Sequence, residues 1–109
     1  MSKGDEIKKY LPLTETTTYI LLALIEPLHG YGVMQKVKEV SGGVVEIGPG
    51  TLYGAFSTLQ KEGLIRKVHE DNRRKSYTLT PKGKQVLRGQ IRRLEIMTRE
   101  GSKVIDDLG

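Results

Sequence analysis

The side chains of this sequence that could do chemistry are cationic and hydroxylic. The stretch "RKVHEDNRRKS" carries Arg66, Lys67, Arg73, Arg74 and Lys75, the last three consecutive. A guanidinium is a planar fork of N–H donors that suits phosphate oxygens and narrow minor grooves. A second set lies in "IGPGTLYGAFSTLQ", residues 47–60, where Gly48 and Gly50 flank Pro49, and Thr51, Tyr53, Ser57 and Thr58 follow, then Lys61. Backbone N–H groups at a helix start, reinforced by the helix dipole, attract anions, and glycines there permit close approach. Thr51 offers a hydroxyl and a methyl, suited to a phosphate oxygen or a thymine methyl. The Tyr53 hydroxyl can donate to a phosphate. Each set has a plainer alternative. A hairpin tip is charged wherever it is solvated, and Glu70 and Asp71 share this one; Tyr53 would serve equally as a half-buried core aromatic.

Catalytic chemistry is hard to assemble from the remaining residues. There is no cysteine and there are two histidines, His29 and His69. That leaves no disulfide framework and no thiolate zinc site, and no nucleophile, base and orienting group can be read together. The sequence therefore predicts no enzyme activity, no metal and no cofactor. Lysine and arginine outnumber aspartate and glutamate by 18 to 13, a net charge of +5, with a pI of about 9.5. This balance favours an acidic partner such as nucleic acid, although many small basic proteins bind nothing acidic. The longest apolar run, Tyr19 to Ile25, is too short to span a bilayer. The start, "MSKGDEIKKYL", lacks the apolar region of a signal peptide. A cytoplasmic, reducing location with no membrane contact is the expectation.

The elements that must position these groups are legible from spacing and punctuation. At 109 residues the chain fits one small domain with a modest core. Residues 1–12 read as a loose or partly helical tail. In "LTETTTYILLALIE", Thr14 is a candidate N-cap and Glu15 to Glu26 the first clear helix, with Ile20, Leu21, Leu24 and Ile25 as its buried stripe. "PLHG" is a tight connection. A second helix follows from Gly30 through "YGVMQKVKEVS", with Val33, Met34, Val37 and Val40 on one face, and Gly42 and Gly43 end it. Pro49 begins a third helix that runs to about Glu62 and stops at Gly63; Leu52, Ala55, Phe56 and Leu59 face inward. "LIRKVHE" and "KSYTLT" read as two strands joined by the charged tip "EDNRRK". Thr80 and Pro81 start a long last helix, roughly Pro81 to Leu108.

Three helices followed by a charged hairpin is the layout of a winged helix-turn-helix, in which the third helix enters the major groove and the wing lies along the backbone or minor groove. The predicted fold is mainly α (α+β), with a two-stranded wing and a long C-terminal helix. Residues 1–80 would form the DNA-binding domain, with a recognition helix over 49–62 and a basic wing over 69–76, and residues 81–109 a dimerisation helix. On that last helix, Leu87, Ile91, Leu94, Thr98, Gly101, Ile105 and Leu108 step by four and three alternately, a heptad-like seam. A homodimer would cover it; the alternative is that the helix folds back over the first one. A dimer of long helices can also enclose an apolar cavity. Its candidate lining, Tyr10, Tyr19, Ile91, Leu94, Met97 and Thr98, would hold a small hydrophobic or aromatic effector, or else be interface packing alone.

Three motifs, "LHGYGVMQKV", "IGPGTLYGAFSTLQKEGLI" and "RRKSYTLTPKGKQVL", resemble in order and spacing the PadR family of bacterial transcriptional regulators. The resemblance covers residues 13 to about 95. It implies a winged-helix protein that binds double-stranded operator DNA, dimerises through its C-terminal helix, and represses until a small molecule releases it. Ending about one helix beyond the wing, the chain looks like the short kind of member. The "PGTLY" match implies that Pro49 to Tyr53 begin the recognition helix, with Tyr53 its backbone-contacting aromatic. The "LHGY" match sets His29, Gly30 and Tyr31 near DNA phosphates. The "RRKSY" match makes Arg73, Arg74 and Lys75 wing residues and packs Tyr77 on the core. Gly54 departs from the family, whose members usually carry a larger side chain or proline there. The competing reading is a coiled-coil protein-interaction module without sequence-specific DNA binding, for which the cations of the wing would have no purpose.

Overall fold

The computed structural model describes residues 3–71 and 74–109. A short helix α1 (Lys3–Lys8) leads through the cis Leu11–Pro12 peptide to α2 (Glu15–Ala23), then β1 (Leu28–His29), α3 (Gly30–Val40) and α4 (Pro49–Lys61). The hairpin β2 (Ile65–Asp71) and β3 (Arg74–Leu79) precedes the long α5 (Pro81–Val104), which closes in a 3₁₀ turn, Ile105–Leu108.

Helix starts and stops follow local chemistry. Thr14 caps α2 by accepting from Thr17 N–H, and Thr80 caps α5 by accepting from Gly83 N–H at 3.0 Å ahead of Pro81 in the first turn. Gly42 and Gly43 follow α3 with φ of 63° and 82°, the left-handed backbone at which glycine alone is unstrained.

The core is a single cluster to which every major element contributes: Ile20, Leu21 and Leu24, Val33 and Val37, Leu52, Phe56 and Leu59, Ile65, Tyr77 and Leu79, Val86 and Leu87. Of the expected stripes, Met34 and Ala55 are half-buried against it and two positions are left exposed. Ile25 is 58% exposed and Val40 is 47% exposed. Helix α2 stops at Ala23 rather than Glu26: the Leu24 N–H turns back to Leu21 O, and Leu24 O is taken by Leu79 N–H and the Thr78 hydroxyl. The chain is thus fastened to β3 one residue before Ile25, which swings out. Val40 ends α3 beside the glycine turn, beyond the reach of the core. Thr78 is buried where simple alternation predicts an exposed residue, because its hydroxyl makes that bond to Leu24 O at 3.0 Å.

The sheet has three antiparallel strands in the order β1-β3-β2. The two-stranded wing is present, and "PLHG", expected to be only a connection, adds β1 to its edge: Leu28 pairs with Tyr77 and His29 with Ser76. A bulge lies between Lys67 and His69. It coincides with the three-residue spacing of Ile65 and Val68 that breaks strict alternation.

Helix α5 is two things in succession. Gly83, Val86, Leu87 and Gln90 are buried in the body of the chain, whereas every residue from Ile91 onward is exposed. The helix start is pressed against the loop after α4, and a Cβ at Gly83 would run into the Leu64 carbonyl oxygen. Of the two readings of the tail, loose or partly helical, the second holds, and α1 packs on α5: a Cβ at Gly89 would stand 2.8 Å from Leu11 Cδ1 and 3.4 Å from Ile7 Cδ1. Gly89 is thereby the crossing point of two helices, where the close approach offsets its low helix propensity.

Candidate nucleic-acid interface

Helix α4 presents its start to solvent. Gly48, the N-cap, has no side chain to accept from the first-turn N–H groups, and residues 48–51 are exposed. A Cβ at Gly48 or Gly50 would meet nothing within 4 Å, so a second molecule has free access to this end of the dipole. Thr51, Tyr53, Ser57, Thr58 and Lys61 are all exposed on the same helix, as is Gly54, whose Cβ would also enter open space.

Tyr53 is 56% exposed, yet its ring is held from below. It meets Phe56 edge to face, centroids 6.1 Å apart at 82°, and Phe56 stacks obliquely on Tyr77 of β3 at 4.7 Å. The phenol lies over the start of α3, where a Cβ on Gly30 would come within 2.6 Å of Tyr53 Oη. Tyr53 is thus a surface residue rather than a half-buried core aromatic, its ring resting on the core residue Phe56.

Around that hydroxyl, His29, Gly30, Tyr31, Arg74, Lys75 and Tyr77 complete a cleft of about 430 Å³ between α3, α4 and the wing. Its described lining holds two permanent cations, a histidine and three phenols. Tyr31 is exposed and accepts from Gln35 Nε2 at 3.3 Å. His29 is the N-cap of α3, its Nδ1 set 3.3 Å from Gly32 N, while its Nε2 lies 3.1 Å from Arg74 Nη1. The structure thus brings together the histidine of one motif, the tyrosine of the second and the cations of the third, which stand 45 residues apart between His29 and Arg74. Tyr77, expected as a core residue only, lines the cleft as well. Arg73 lies outside the described residues.

The other expected sites separate. Leu87 is 5% exposed within the chain's own core, so the uncovered seam begins at Ile91 and continues through Leu94, Thr98, Ile105 and Leu108. Ile25 joins Ile91 and Leu79 along one groove beside α5, a contribution the misplaced end of α2 had hidden. Among the effector candidates, Leu94 borders a shallow groove with Ile91 and Thr98, and Met97 is exposed nearby on the same helix. Tyr10 opens instead on a different cleft, with Pro12, Thr14, Gly54 and Thr58. A hydrogen bond with Lys82, and then the charges of Lys82 and Lys9, hold its phenol below the ordinary tyrosine range. Tyr19 is half-buried against the core. Among the described residues, no helix is long and apolar enough to cross a membrane.

Comparison with known proteins agrees with this architecture. The model of the "Transcriptional regulator PadR-like family" matches residues 20–89. An uncharacterized 37.1 kDa protein in transposon TN4556 of Streptomyces fradiae is 41% identical over 69 residues, covering 62% of this chain; the chain spans only 19% of that protein's length. A transcriptional regulator from Clostridium thermocellum superposes with a TM-score of 0.69 at 27% identity, over 91% of this chain and 96% of its own. A PadR-like transcription factor from Bacteroides fragilis superposes with a TM-score of 0.57 at 25% identity, over 98% and 92%. Both of these structural neighbours are transcription regulators.

Proposed function

The chain belongs to the PadR-like family of transcriptional regulators, and on that premise we propose that it is a homodimeric repressor that binds operator DNA through α4 and the wing. The observation that carries the proposal is the cleft where Tyr53, Tyr31, His29, Arg74 and Lys75 converge beside the uncapped start of α4. Donors so grouped fit a phosphate on the rim of a major groove that α4 enters. Residues Thr51, Ser57 and Thr58 would face base edges and Lys61 a phosphate further along, with Gly50 leaving room for the backbone. The family's "RRKSY" motif gives Arg73 the same wing role.

Residues 1–80 then serve as the DNA-binding unit and 81–109 as the dimerisation helix, the first turns of α5 anchoring one to the other. From Ile91 to Leu108 the helix exposes apolar side chains that a second copy would cover, Ile91, Leu94, Thr98, Ile105 and Leu108 being the seam and Leu87 its buried anchor. A small hydrophobic or aromatic effector held beside Leu94 and Met97 is the finer part of the proposal, with Tyr19 and Tyr10 as its more distant candidates. Release of operator DNA by members of an aromatic compound panel tests it, and no release by any member would leave a regulator without an effector.

A salt titration of binding to duplex DNA from the protein's own promoter tests the central claim. Affinity should fall steeply with salt, because each neutralised phosphate contributes about −0.9 to the slope of log K against log salt. No salt-sensitive binding would refute it and leave the protein-interaction reading.

A further inference from the structure

His29 is asked for more than an imidazole can give. Gly32 N–H approaches its Nδ1 at 3.3 Å and the Arg74 guanidinium its Nε2 at 3.1 Å. Both neighbours are donors only. A neutral imidazole has one lone-pair nitrogen available as an acceptor, and the protonated ring has none. The two contacts therefore draw on the same acceptor and can be held only in alternation: Nδ1–H with Nε2 accepting from Arg74, or Nε2–H with Nδ1 capping α3. The described titratable and charged groups that face the ring across the cleft are Tyr31, Tyr53, Tyr77, Arg74 and Lys75, and in the strand register Asp71 and Glu70 stand opposite Arg74 and Lys75.

We propose that His29 is a positioning residue that relays between the wing and α3, switched by a DNA phosphate; this rests on the DNA-binding reading above. In the free chain the charge-assisted bond wins, and Arg74 is tethered to Nε2. When a phosphate enters the cleft, Arg74 turns its N–H groups to the phosphate oxygens. The imidazole gives up its Nδ1 proton to water and takes one at Nε2, remaining neutral, and Nε2–H donates to the same phosphate. Nδ1 is then free to accept from Gly32 N–H and caps α3. One phosphate would thus release the wing cation, gain a ring donor and tighten the start of the helix.

Long-range ¹H–¹⁵N correlation of histidine-labelled full-length protein, at a pH of ~8 where an ordinary imidazole is neutral, reads the tautomer directly. The His29 signals are assigned by their loss in His29→Asn. In the free protein Nε2 should resonate as the bare nitrogen, and with operator duplex Nδ1 should take that character. An unchanged tautomer on binding overturns the relay. A second arm needs no DNA: Arg74→Ala, at an exposed position, should by itself shift free His29 to the Nε2–H form. If Arg74→Ala leaves the tautomer unchanged, the relay falls whatever the DNA result. If it shifts the tautomer but the wild-type chain binds no DNA, the competition between Arg74 and Gly32 stands and the repressor reading is what fails.

Discussion

The amide of Gln90 closes on both backbone polar groups of Leu13: its Nε2 donates to Leu13 O at 3.1 Å and its Oε1 accepts from Leu13 N–H at 2.9 Å. A residue of the long helix thereby takes the place of a strand partner for the segment just before the α2 N-cap. Gln90 is 4% exposed, and its partner lies 77 positions away. Gln90→Leu keeps the volume but removes both bonds. It should cost about 2 kcal/mol, since two partly buried backbone groups lose their partner. Urea unfolding at fixed chain concentration measures this, and a midpoint equal to that of the wild type would mean water replaces the amide.

Two glycines on helices should respond oppositely to alanine. At Gly83 the added methyl meets the Leu64 carbonyl oxygen, a backbone atom that cannot move aside, so Gly83→Ala should lose about 3 kcal/mol or more. At Gly54 it meets nothing within 4 Å, and Gly54→Ala should gain about 0.5–1 kcal/mol from helix propensity alone. Thermal unfolding of the pair separates a packing glycine from a spacing one. If Gly54→Ala weakens operator binding while raising the melting temperature, the open face at Gly54 is a groove contact rather than an idle position.

Tyr53→Phe removes one hydroxyl and leaves the ring on Phe56. Operator affinity should fall by about 1 kcal/mol, roughly fivefold, and equally on every sequence tested, because a phosphate contact positions without reading bases. A loss confined to one operator base pair would reassign Tyr53 to base recognition.

Arg74→Ala together with Lys75→Ala should reduce the salt slope of DNA binding by about 2 if each neutralises one phosphate. A salt slope that stays at the wild-type value would take the wing off the DNA. Neither side chain is buried, so the fold itself should be unaffected.

Leu94→Glu places a charge in the middle of the exposed seam of α5, outside the chain's own core. Sedimentation should show monomers with an intact circular-dichroism spectrum. Dimers that persist would move the interface elsewhere, and the groove lined by Ile25 and Ile91 would be the next surface to alter.

Much of the fold was legible because its signals are local. Pro49 and Gly63 bound α4, and Thr80 with Pro81 starts α5, since a cap is made by residues three or four apart and the sequence displays them side by side. The apolar faces of α3 and α4 were legible at their centres for the same reason. The expected faces failed at Ile25, just beyond α2, and at Val40, the last residue of α3, where the hydrogen bonds of Leu24 O to β3 and the glycine turn after α3 decide which way the chain leaves.

By itself, then, the sequence determined the order of the helices α2 to α5 and of the hairpin, the caps of α2 and α5, the cationic wing and the small, uncharged face of α4. Tertiary structure alone decided three things. It pairs Leu28 and His29 with β3, which carries His29 to within reach of Arg74. It buries Leu87 and Gln90 while leaving Ile91 onward uncovered, dividing a uniform-looking seam. It stands Tyr53 on Phe56, itself stacked on Tyr77, so that a residue fit for either core or surface is placed on the surface over the core. The physical reason is common to all three. Periodicity records that a face is apolar or polar, but which part of that face is covered depends on segments distant in the chain, and their approach is set by packing rather than by neighbours in sequence.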